Sequence, residues 1–516
     1  MNARIVFSLF IALASALWFA APAAAKGTVP KGTITISYGP DLLTMDPHAL
    51  SDFTCSALHP YLFDLLLMRR KGDYKLEGSV AESYRWLDPK LLEIVVRKGM
   101  KFSNGEDVDA EAVRFTFQRM TDPKYKSAFT QYFRTVERVD VVDKYTARFV
   151  MKAPDPDLIK RMGLYYFVVP PKYYSSQSLS HVASNPVGSG PYLLKKWVRG
   201  EYFELEANPN YWKENLPTIK TVIIRAIPDI NARVMALLKG EVDIIRAVPP
   251  HLVQKLVDSP RVDVKAVRGL RLLRVAMLTT KPGPLANPTV RRAISHAIDV
   301  DSIIKTVAGG AGARTAMMLH PWSSGYDPTI KPYKHDLALA QKLMKEAGYP
   351  NGFETEFWSP SGRYPNDKQI SEMIVFQLQK IGIKAELKVV EWGLYTKHFA
   401  ARKKPETKPF MMLHAFGNSG MSAQAAWTAM AHSRGFWSAF ADPKVDAMLD
   451  EAGRIVDEKE AQKKYSALGR YLQEVAADFP LYQIDDVHGV NKRLIWEPRH
   501  DEKVWVWDAK IKGLHN

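Results

Sequence analysis

Cysteine is nearly missing from this chain: Cys55 is the only one in 516 residues, so no intramolecular disulfide can staple the fold. A lone cysteine is ordinarily a small buried apolar residue. Beyond the first 25 residues no apolar run approaches the roughly 20 needed to span a bilayer. Basic residues outnumber acidic ones, 71 to 55, for a formal net charge of +16. They are scattered, without a Lys/Arg run or a nucleic-acid motif, so the charge reads as a solvated surface biased toward anionic ligands and not as a nucleic-acid face. Enzyme signatures are also missing. There is no His-Glu-x-x-His, the 13 histidines show no metal-ligand spacing, and Gly417-Asn418-Ser419-Gly420 is not a nucleophile elbow. Gly309-Gly310 has no strand before it and no Gly-Lys-Ser/Thr after it, so helix termination fits better than a phosphate cradle. A periplasmic hydrolase, the competing reading from another class, therefore lacks support; no catalytic residue, cofactor or metal is expected.

The chain opens on a targeting segment: Arg4, an apolar stretch over 5–20, then Ala23-Ala24-Ala25 as a small-residue cleavage site before Lys26. Cleavage after Ala25 leaves 491 residues carrying a net charge of +15, too many for one core. With no cysteine at the cleavage site, a lipid anchor is not expected, and the mature protein is placed free in the periplasm.

The chain is organised around 185–244. Asn185-Pro186-Val187-Gly188-Ser189-Gly190-Pro191-Tyr192 predicts a turn requiring glycine freedom between fixed prolines. Strand-like runs follow at 202–206 and 222–224. Next comes a helix capped by Asp229, with Val234, Leu237 and Leu238 inward and Gly240 at its end. Elsewhere 91–97 alternates as a strand, and Asp109 caps a helix whose face is Val113, Phe117 and Met120. Asn287-Pro288 and Asp336 start two more helices. At 353–390 a strand, a helix from Asp367 and a second strand predict a parallel right-handed crossover. Ligands in open α/β sheets bind at the carboxyl ends of such strands.

Several of these segments, in this order, resemble the family-5 extracellular solute-binding proteins, the dipeptide- and oligopeptide-binding receptors of bacterial ABC importers. The carriers are Arg97-Lys98-Gly99-Met100-Lys101-Phe102-Ser103-Asn104-Gly105, the Gly188-Ser189-Gly190-Pro191-Tyr192 turn, Asn208-Pro209-Asn210-Tyr211-Trp212, Gly240-Glu241-Val242-Asp243-Ile244 and Ala347-Gly348-Tyr349-Pro350-Asn351-Gly352-Phe353. The resemblance implies an α/β, two-lobed periplasmic binding protein of type II (cluster C). In that layout 26–65, 188–273 and 482–516 form lobe I, an extra domain at 66–187 is inserted in it, and 274–481 form lobe II. It also implies a monomer that closes on a small-molecule or peptide ligand and docks on an inner-membrane permease with a cytoplasmic ATPase. A metal-complex or haem receptor on the same fold stays open.

Matching loops nominate the ligand contacts. Tyr38 and Phe53 belong to the first loop of the family, each of them equally a packing aromatic. Arg363 and Trp392 lie in loops after the crossover strands, and the Arg363 guanidinium suits a carboxylate or phosphate; its alternative is a structural ion pair. Peptide-binding members carry acidic residues in the loop corresponding to 414–421, and one of them pairs the peptide ammonium. Here that loop has none, which puts a standard peptide pose in doubt. Phe416, Asn418, Trp427 and Trp437 suggest instead a partly aromatic pocket with neutral polar groups, the alternative for each aromatic being core packing.

Overall fold

A computed structural model describes residues 29–515; the expected leader and its cleavage site lie outside them. Among the described residues the main sheet is built from β1 (Thr33–Gly39), β2 (Tyr192–Val198), β3 (Tyr202–Ala207), β4 (Thr221–Ala226), β5 (Ile244–Ile245), β6 (Val262–Met277), β7 (Gly312–Arg314), β8 (Phe353–Pro360), β9 (Ile383–Val390), β10 (Phe410–Gly417) and β11 (Phe479–Asn491). The order is β9-β8-β10-β6-β11-β5-β1-β4-β3-β2, with β7 on the side of β11. Strand β1 runs parallel to β4 and β5, and β8 runs parallel to β9 and β10. The centre, where β6 pairs with β10 and β11, is antiparallel.

The alternation read from the sequence is what the burial follows. Ile34 and Ile36 are fully buried beside Val222, Phe203 and Leu205 in one core, which the C-terminal Trp496, Trp505 and Val506 complete. Val275, Ile294, Phe357, Ile374 and Leu413 form a second core at the other end of the sheet. A third core lies under a separate antiparallel sheet of Ala81–Asp88, Leu91–Val96, Thr146–Met151 and Val136–Asp143, against which the helix Ala110–Thr121 buries Val113, Phe117 and Met120. The helix caps are local chemistry. Asp109 accepts from Ala112 N, Asp229 from Ala232 N and Asp336 from Leu339 N, while Gly240 takes the left-handed φ of 80° that ends its helix.

The Gly188/Gly190 turn is made for another reason than the one expected. Neither glycine is in the left-handed region. A Cβ on Gly188 would meet Leu62 O at 2.2 Å, and one on Gly190 would meet Leu62 C at 2.4 Å and Phe63 N at 2.6 Å. Close approach of two backbones, not positive φ, excludes any side chain here.

The long strands β6 and β11 cross from the second core to the first side by side. Their pairing is interrupted between Arg268 and Leu272 and again between Leu273 and Arg274. At the first break Gly269 packs so that a Cβ would sit 2.9 Å from Ile484 O. The expected boundaries 273/274 and 481/482 fall inside these two strands.

Candidate functional site

Both breaks lie beside a cleft of about 240 Å³. Its floor is the end of β10 and the bulged part of β6. One wall is the loop after β8 with the first turn of the helix Trp392–Ala400; the opposite wall is Phe53 and the tail residues Asp501 and Glu502.

Arg363 is presented by a pinned backbone. Asp367, 3 % exposed, accepts from the main-chain nitrogens of Gly362 (3.1 Å), Arg363 (2.8 Å) and Tyr364 (3.1 Å). The guanidinium lies 4.9 Å over the Trp392 ring and, among the described residues, has no carboxylate partner. The structural ion pair that was the alternative is therefore not formed. Trp392 stacks on Tyr395 (5.1 Å between centroids, 17°) and leans on Trp437 (5.8 Å), which in turn stacks on Phe399 (5.4 Å, 24°) and lies tilted against His414 (4.4 Å, 33°). This is a continuous aromatic wall with a cation at its edge.

Behind the wall Arg274 is 1 % exposed and fully committed. It donates from Nε to His414 Nδ1 (3.3 Å) and from Nη2 to Trp437 O (2.6 Å), and pairs with Asp478. Burial, then the nearby Arg274 and Arg271, hold His414 well below the ordinary histidine range, so it is neutral. Its Nδ1 is occupied as an acceptor and the ring props Trp437.

Arg271 projects from the bulge of β6 and meets Glu502 at 3.4 Å, which also pairs with Arg246 at 3.2 Å; Arg246 lies 4.7 Å over Phe53. Burial would raise the Glu502 carboxyl, but Arg271 and Arg246 together hold it below its ordinary value. Asp501 is gripped by Arg499 through Nε (2.9 Å) and Nη2 (2.8 Å). The cleft thus contains carboxylates, supplied by the tail and not by 414–421, and both are already paired. Among the described residues no group of three His, Cys, Asp or Glu is placed to hold a metal ion.

Of the residues expected at the ligand, Phe53, Arg363, Trp392, Phe416 and Trp437 line this one cleft. Three others are placed elsewhere. Tyr38, 4 % exposed, sits in the first core with its hydroxyl donating to Val504 O at 3.0 Å and accepting from Val504 N. Asn418, 2 % exposed, turns inward and bonds Ser323 Oγ and Ser422 O, both at 3.1 Å. Trp427 is core packing against Tyr465. Sequence reasoning did not nominate Arg271, Glu502 or Asp501. A signal for Arg271 existed, since Arg271 and Arg274 interrupt the otherwise apolar second half of the strand, Leu270 to Met277, where a charge must be paired or face an opening.

A sheet shared by two cores, crossed by paired strands with a cleft at the crossing, defines a two-lobed α/β solute-binding protein of the cluster C periplasmic type. Residues 75–438 match the bacterial extracellular solute-binding proteins, family 5 Middle, and the chain belongs to that family, whose members bind solutes and catalyse nothing. The glutathione-binding protein GsiB of Salmonella paratyphi A is 25 % identical over 491 residues, 93 % of this chain and 95 % of that one. Heme-binding protein A of Haemophilus influenzae is 29 % identical over 438 residues, 78 % of each. The crystal structure of the ABC transporter substrate binding protein CtaP from Listeria monocytogenes superposes with a TM-score of 0.84 at 21 % identity, over 94 % of this chain and all of that one.

Proposed function

We propose that this protein is the periplasmic receptor of an ABC importer and that its cleft captures an acidic, peptide-like small solute. The observation that carries this is the unpaired Arg363 guanidinium stacked on Trp392 at the cleft edge, beside Arg271. A guanidinium free of carboxylates and held by a fixed loop is pre-organised for a bidentate carboxylate or phosphate. Phe416, Trp437 and Phe53 add apolar contact, and Ser419 and the backbone at the end of β10 add polar groups. Both carboxylates of the cleft are spent on arginines, which disfavours a ligand recognised mainly through a cation.

In this reading residues 26–65, 188–273 and 482–516 form lobe I and 274–481 form lobe II, with 66–187 inserted; the separate cores support that division, except that Phe167, Val169, Tyr174 and Val182 of the insert pack in the first core. The protein acts as a monomer after cleavage at Ala25. Ligand contacts shared by Phe53 on one side and Arg363 on the other favour the closed state, which docks on the permease. Micromolar affinity requires about 8 kcal/mol of net binding energy.

Native mass spectrometry of the protein purified from its periplasm, then a thermal-shift screen of acidic, neutral and basic peptides, glutathione and opine-like acids, tests the reading. Acidic solutes are expected to raise Tm with concentration, and Arg363→Ala and Trp392→Ala each to weaken the best of them about tenfold or more. Equal binding of basic peptides, or unchanged affinity in both variants, would overturn it.

A further inference from the structure

The aromatic side chain of Phe53, Ser419 and Asp501 line a second, smaller cavity as well as the main cleft. It has a volume of about 50 Å³ and reaches inward between Leu164, Trp505, Arg69 and Lys503. That is room for a carboxylate-sized group, not for a ring.

Its charge is unbalanced. Lys503 is 6 % exposed, and among the described residues its ammonium makes neither a hydrogen bond nor an ion pair; it only lies 5.1 Å from the Trp505 ring. Arg69 is 8 % exposed and donates to two carbonyls, Tyr74 O (2.9 Å) and Gly420 O (2.7 Å); among the described residues it forms no ion pair, and its Nε has no partner. The one anion in the wall, Asp501, is held by Arg499. Two cations buried this deeply, with no ion pair of their own and with the nearby Asp501 already held by Arg499, cost stability unless a further anion joins them, and the cavity is the space from which one can approach.

We propose that this cavity is a second anion subsite, filled by a carboxylate of the same ligand whose other acidic group is held by Arg363, so that the receptor selects solutes bearing two separated acidic groups. The proposal rests on the reading of the main cleft given above. Phe53 stands where the two subsites join and covers the atoms linking the two acids. The ligand enters with one acid foremost, and that acid reaches Lys503 only after passing Ser419 and Phe53.

The test is isothermal titration and thermal shift with acidic dipeptides, glutathione and four- to eight-carbon dicarboxylates, each beside its monoamide. In the unaltered protein at least one diacid should bind about tenfold or more tightly than its monoamide. Lys503→Met should abolish that preference while leaving monoamide binding in place, whereas Arg363→Ala weakens diacid and monoamide alike. Because Lys503 is buried, Ser56→Leu provides an independent check: it fills the small cavity from the helix Phe53–Leu58 without removing charge, and it should erase the same preference. Monoamides that bind as well as diacids, or a preference that survives both substitutions, overturn the second subsite and leave the main-cleft reading standing. If no acid binds the unaltered protein, both fall.

Discussion

The Asp64 carboxyl is 5 % exposed and accepts from neutral donors, Tyr211 Oη at 3.3 Å and Trp212 Nε1 at 3.1 Å, with Ser189 close by. Burial pushes it up to about 7, against the partial relief of those bonds. A carboxyl raised in the folded state holds its proton where the unfolded chain has lost it. Stability contributed this way is present at low pH and is lost as pH rises from about 4 through 7. Asp64→Asn should therefore remove part of the fall in Tm between pH 5 and 8. The buried neutral histidines 48, 59 and 320 act in the opposite sense at acid pH, so the comparison is the difference between variant and parent melting curves. An identical pH profile for both would show that Asp64 is ionised in the fold. Arg363 was readable at this same scale because its loop type announced it. Tyr38 was not, since an aromatic beside a loop packs inward or faces ligand according to a partner, Val504, 466 positions away.

At the scale of elements, short-range chemistry carried the reading well. The Asp caps, the alternating strands and the helix Asp367–Gln379 between two parallel strands depend on neighbours within a turn or two. The Gly188–Gly190 turn was seen but for the wrong reason, because the atoms that forbid a side chain belong to Leu62 and Phe63. Gly190→Ala should destabilise the protein by about 3 kcal/mol, the upper end of overpacking costs. Gly417→Ala, with nothing within 4 Å and no positive φ, should change Tm little. Equal melting temperatures for the two would mean that the turn relaxes freely. The bulge of β6 that turns Arg271 toward the cleft had no local signature, since an interrupted register exists only between two strands.

Across the whole molecule the charge of +15 on residues 26–516 and the unpaired Arg363 of the cleft act together on an approaching anion. Screening shortens that attraction to about 8–10 Å at physiological salt. The association rate of an acidic ligand, followed by stopped-flow tryptophan fluorescence, should fall several-fold between about 20 and 200 mM salt, with a smaller change in dissociation. A salt-independent association rate would place the steering charges elsewhere than the cleft. In the proposed reading the paired strands β6 and β11 would give lobe closure its axis, with the register breaks at Arg268–Leu272 and Leu273–Arg274 as the places where the pairing flexes.

The hydroxyls of Tyr38 and Tyr61 both end on the carbonyl of Val504, across 466 and 443 positions of sequence. The core that is begun first in synthesis is therefore completed last. A ribosome has released nearly the entire chain before Val504 and Trp505 can close over β1, and until then the opening segment has no finished partner to fold against. Delay is thus written into the connectivity: this core cannot close until the distant tail has joined it, which under the proposed periplasmic role would keep the chain open for passage through a membrane.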